Sequence, residues 1–122
     1  MTAAAGFDAV FEALREIMIP YSGDLVVVED EPGSLHLDTK HVMKNGKPLF
    51  FGAVQIRKRY VSYHLMPVYV EPSLLKNMSA ELKKRMQGKS CLNFTAIDDV
   101  LFDELGRLTR SGFDYYKSEG YV

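Results

Sequence analysis

The sequence predicts an α+β domain: a five-stranded antiparallel sheet with helices packed on one face. Three observations lead there. A helical apolar stripe opens the chain, two pairs of strand-like runs follow around turn residues, and helical spacing resumes after two prolines. Strands grouped in hairpins, with helices outside the group, favour an antiparallel sheet over a parallel one.

Residues 7 to 18 place Phe7, Val10, Phe11, Leu14, Ile17 and Met18 at helical spacing, which gives one apolar face. Pro20 stops this helix, because it lacks the backbone donor and disfavours helix just before itself. The β-branched run "DLVVVE" predicts a mostly buried strand. "DEPGS" is a turn, and "SLHLD" beyond it puts Leu35 and Leu37 on one face and His36 on the other. Asn45-Gly46 in "KNGKP" suits a tight turn.

Next come two alternating runs. In the first, Phe50, Gly52, Val54 and Ile56 share a face opposite Phe51, Ala53 and Gln55. In the second, Val61, Tyr63 and Leu65 alternate with Ser62, His64 and Met66. Arg57-Lys58-Arg59 separates them, so the pair predicts a hairpin with a solvated, positively charged tip.

Pro67 and Pro72 close the sheet region, and Leu74, Leu75, Met78, Leu82 and Met86 return to helical spacing up to a stop at Gly88. Ser79 is a candidate N-cap, which divides this stretch into one element or two. "SCLNFT" reads as a last strand. Asp98 then caps a helix turning Val100, Leu101, Leu105 and Leu108 inward.

The chain of 122 residues fits one domain, 1–122, large enough to fold without disulfide or metal. Lys and Arg total 15 against 16 Asp and Glu, a net charge of -1 that provides no overall field for nucleic acid or anionic lipid. Nucleic acid is therefore not an expected partner, nor is a membrane, since no stretch approaches the roughly 20 apolar residues a span needs. The single cysteine, Cys91, excludes an intrachain disulfide and fits a reducing compartment. With a first segment unlike a signal peptide, a cytoplasmic location is expected.

No nucleophile elbow, phosphate-binding loop or dinucleotide fingerprint is present, so the sequence offers no positive reason to propose an enzyme, and no catalytic residue is assigned. A lone cysteine within a strand reads as a small core residue. His36, His41 and His64 are scattered. His36 and His64 meet across the sheet if their strands are neighbours, an order that no single stretch of sequence sets.

Asp8, Glu12 and Glu16 form an acidic stripe opposite the apolar face of the first helix, and Glu29-Asp30-Glu31 adds a second acidic group. Hard oxygen ligands suit iron if the two groups face each other; otherwise they are a solvated surface. The tail carries Tyr115, Tyr116 and Tyr121, which dock on the body or on a second subunit as a homodimer.

The segments "NGKPLFFGAVQIRKRYVSYHLMPVY", "LKKRMQGKSCLNF" and "IDDVLFDELGRLTRSG" resemble the YdhG-like family of small bacterial proteins over about residues 40 to 112. The family is classed as a domain of unknown function. Some relatives carry an iron-chaperone label because the fold looks frataxin-like, with helices on one face of an antiparallel sheet. That resemblance implies an iron role for Asp8, Glu12 and Glu16.

Three functional expectations follow. The first is a non-enzymatic binding or scaffold domain that needs no cofactor. The second is an iron-binding or iron-chaperone protein acting through its acidic first helix. The third is a small-molecule binder or enzyme with a pocket near Lys40, His41, Tyr60 and His64.

Overall fold

The computed structural model describes the backbone of residues 2–122 and the side chains of residues 7–122. Helix α1 (Thr2–Met18) runs into a 3-10 turn over Ile19–Asp24, where Pro20 has ended the regular helix. Strands β1 (Val26–Glu31), β2 (Ser34–Val42), β3 (Pro48–Ile56) and β4 (Val61–Leu65) follow as successive antiparallel hairpins. Gly33 and Gly46 take positive φ in the first two turns, as "DEPGS" and "KNGKP" require.

The sheet has six strands, not the five expected, in the order β1-β2-β3-β4-β6-β5. The extra strand lies at the end of the stretch expected to be helical up to Gln87, as one element or two. After a short α2 (Pro67–Val70), the chain there forms a 3-10 turn at Pro72–Leu75, α3 (Ala80–Lys83) and the two-residue β5 (Met86–Gln87). Each proline starts a new short helix because it fits the first turn and not the interior. Ser79 caps α3, its hydroxyl accepting from the Leu82 amide at 3.1 Å. Gly88, at φ +83°, turns the chain from β5 into β6 (Cys91–Phe94) and does not stop a helix.

The final helix α4 (Asp99–Ser118) is capped by Asp98, which accepts from the Leu101 amide at 3.1 Å. It absorbs most of the aromatic tail. Its buried stripe is Leu101, Phe102, Leu105, Leu108, Gly112 and Tyr116; Val100, expected inward, lies off this stripe and is 78% exposed.

Both long helices pack on one face of the sheet. Phe11, Leu14 and Met18 of α1 and Leu105 and Tyr116 of α4 join Leu35, Leu37, Phe51, Val54, Val61, Tyr63, Leu65, Leu92 and Phe94 in one core. Val54, Val61 and Leu65 are fully buried there, and Ile56 packs at its margin, as the alternation predicts. Each fully buried Leu or Phe contributes roughly 1.5–3 kcal/mol over exposure.

Two features depart from simple alternation. In the β2–β3 pairing His36 faces Ala53 and Leu37 faces Gly52, but Asp38 faces Phe50, so Phe51 is an inserted residue. This bulge sends Phe51 into the core and turns Phe50 to the opposite face, reversing the faces predicted for that pair. Strand β1 is not buried either. As an edge strand it leaves Val26, Val27 and Val28 41–55% exposed, with a second irregularity at Val28. β-branched residues favour extended backbone but do not decide whether anything lies over them.

Candidate functional site on the uncovered sheet face

The face turned away from the helices carries a layer of polar and aromatic side chains. Backbone pairing sets Glu29, His36, Ala53, His64, Cys91 and Gln87 side by side, one from each strand. A parallel row holds Ser34, Gln55, Ser62 and Asn93. These positions follow from the alternation with buried Leu35, Leu37, Val54, Tyr63 and Leu92.

The bulge brings Phe50 onto this face between the two histidines. Its ring centroid lies 4.9 Å from that of His36, edge-on, and 6.3 Å from that of His64. His36 and His64 sit on β2 and β4, with β3 between them. Two strand spacings separate their backbones by roughly 9–10 Å. Three half-buried rings therefore span the gap and bury the small Ala53 among them. Because β3 separates their strands, His36 and His64 do not meet directly, and the Phe50 ring lies between them.

Polar contacts hold the layer in place. His36 Nε2 is 2.9 Å from Asp38 Oδ1, which in the neutral ring keeps the proton on Nε2 and leaves Nδ1 as an acceptor. The Ser34 hydroxyl donates to Glu29, the Gln55 amide donates to Ser34 at 3.4 Å, and Arg57 donates to the Gln55 amide oxygen. Burial pushes the His64 imidazole below its ordinary value, and Arg57 acts in the same direction. Burial also raises the Cys91 thiol, opposed by Arg57.

Cys91 is thus no core residue: Leu92 and Phe94 point into the core while Cys91 is half-exposed beside His64. A thiol raised by burial beside an imidazole held neutral is the reverse of the thiolate–imidazolium pair that activates a nucleophile. No sequence signal marked Phe50 as a partner of the two histidines, because an inserted residue in a ladder leaves no local signature.

The four residues expected to line one pocket are divided. Lys40 and His41 lie near the far end of β2, with the His41 ring tilted against that of Tyr121, centroids 4.7 Å apart. They line a cleft of about 350 Å³ with Asp24, Gly120, Tyr121 and Val122. Tyr60 occupies the β3–β4 turn at the opposite end of the sheet, where its carbonyl accepts from the Arg57 amide at 2.7 Å. His64 lies mid-strand on the uncovered face.

Asp8, Glu12 and Glu16 are exposed along α1. The acidic group on β1 meets this helix through a cation of the chain itself: Arg15 donates to both carboxylate oxygens of Asp30, at 3.1 and 2.8 Å. Among the described residues no cluster of three or more His, Cys, Asp or Glu is placed to hold a metal ion. No helix among them is long and apolar enough to cross a membrane.

The tail rings dock on the body. Tyr116 is buried and donates to the Phe50 carbonyl at 2.9 Å, and Tyr121 packs edge-on against Tyr116 at 5.3 Å. No protein family, curated protein or solved structure in the comparisons matches this chain.

Proposed function

We propose that this chain is a non-enzymatic binding domain that engages its ligand on the uncovered face of the sheet. The observation that carries this reading is the half-buried His36–Phe50–His64 layer on a face the helices leave free. A β-bulge places Phe51 in the core there and leaves the Phe50 ring half-buried on the open face. The neutral Cys91–His64 pair favours binding over nucleophilic catalysis. Within this reading the chain belongs with the YdhG-like domains on its hairpin and closing-helix segments.

A screen of small fragments against the ¹⁵N-labelled protein tests the surface. The expected binders shift the amides of residues 34–38, 50–57, 62–64 and 91–93. Binders that map only to the Lys40–His41 cleft, or none at all, overturn the reading.

A further inference from the structure

We propose that the uncovered face takes a small planar aromatic anion, its ring stacked on Phe50 between His36 and His64 and its anionic group held by the Arg57 guanidinium. This deepens the binding reading above and rests on it.

The aromatic part follows from the layer itself. Phe50 and His64 are half-buried, so each ring keeps contact with solvent while its neighbours fix its position. Rings held this way are preorganised for stacking or edge contact, which adds about 0.5–1.5 kcal/mol beyond area burial. The neighbouring Ala53 projects nothing above the layer.

The anionic part follows from which charges are already engaged. Asp38 is bonded to His36, and Glu29 to Ser34, so both carboxylates have partners within the layer. Arg57 has no carboxylate within ion-pair distance among the described residues. It is anchored to the Gln55 amide oxygen, which accepts one N–H and leaves further guanidinium donors for a bidentate oxyanion. Gln55 lies two residues beyond Ala53 on the same strand face, roughly 6.6 Å along β3. The Phe50 backbone stands further back, opposite Asp38, but its ring lies beside those of His36 and His64, the two residues paired with Ala53. A ring stacked on it with a short spacer to its anionic group therefore matches that separation.

Size is limited by the surroundings. Glu29 and Glu31 stand along the β1 edge, and the chain as a whole carries a net charge of -1. Anionic groups spread beyond Arg57 would meet the repulsion of these carboxylates, whereas a single group held at the guanidinium meets less of it. A carboxylate and a phosphate monoester share the required chemistry.

The test titrates the labelled protein with 3-phenylpropionate, uridine monophosphate, 3-cyclohexylpropionate and 3-phenylpropionamide. The aromatic anions are expected to shift the amides around Phe50, Ala53 and His64 and the Arg57 Nε–H saturably. The stronger of the two identifies a carboxylate or a phosphate source. Arg57→Gln, an exposed change that leaves folding intact by thermal melt, should weaken binding roughly tenfold or more, and Phe50→Leu should also weaken it. Equal binding by the cyclohexyl or amide analogue, or no effect of Arg57→Gln, overturns the ligand class. The same holds if fragments bind this face while both aromatic anions fail, an outcome that leaves the binding reading standing.

Discussion

The Tyr63 hydroxyl lies 2.6 Å from the Thr109 hydroxyl, joining β4 to α4 across 46 residues of chain. Thr109 donates to the Leu105 carbonyl at 2.8 Å, so Tyr63 is the donor and Thr109 the relay. Both side chains are fully buried, and burial raises the Tyr63 hydroxyl well above its ordinary value despite that bond. Tyr63→Phe removes one bond and should cost about 1 kcal/mol. Thr109→Val strands the phenol in the core and should cost more, roughly 1–3 kcal/mol. Urea melts of the two variants give the order; the reverse order would contradict this donor assignment.

Gly52 lets α1 rest on the sheet. A Cβ there would stand 2.5 Å from Met18 Cε and 2.8 Å from the His64 carbonyl oxygen. The methionine tip can move, but the backbone carbonyl cannot without breaking the β3–β4 ladder. Gly52→Ala should therefore destabilise by roughly 1–3 kcal/mol, read as a lower denaturation midpoint. A neutral result would mean that α1 sits further from the sheet.

The Arg15–Asp30 pair ties the first helix to the edge strand. Its hydrogen bond to Arg15 holds the Asp30 carboxyl below the usual carboxylate range. A folded-state value below the unfolded one gives stability that is present above the ordinary carboxylate range and lost as pH falls through the lower folded value. Both groups are partly exposed, so Asp30→Asn should cost only about 0.2–1 kcal/mol at neutral pH. Melts at neutral pH and in strong acid should show that difference shrinking; an unchanged difference would place the effect outside this ion pair.

His64 has the same sign at a higher pH. Because burial lowers its folded-state value, the unfolded chain binds the proton first as pH falls. The folded state should lose stability from about pH 6.5 downward, and His64→Gln should flatten the profile between neutrality and pH 5. An equally steep profile in the variant would assign the slope to another group.

Much of the fold was legible because it follows from period and punctuation. The α1 stripe, the Gly33 and Gly46 turns, the Ser79 and Asp98 caps and the inward Val54, Val61 and Leu65 all come from local chemistry. Burial of β1 was misread because composition does not say which strand takes the edge. The Leu74–Met86 stretch, expected as one helical element or two, forms shorter pieces and a strand because its apolar spacing suits several short elements equally well. The site was the least legible part. His64 was singled out, but its grouping with Phe50 and His36 depends on one inserted residue and on strand order, which no single stretch encodes.

One face of the sheet lies beneath α1 and α4 and the other is open, with Phe50 outward and Phe51 inward, and binding on the open face depends on that arrangement. Proton relaxation by a soluble gadolinium chelate reads this directly. The rings of Phe50 and His64 and the Cys91 side chain should relax strongly, while those of Phe51, Tyr63, Leu92 and Phe94 should not. Protection of Phe50 together with strong relaxation of Phe51 would contradict the bulge, and the binding face with it.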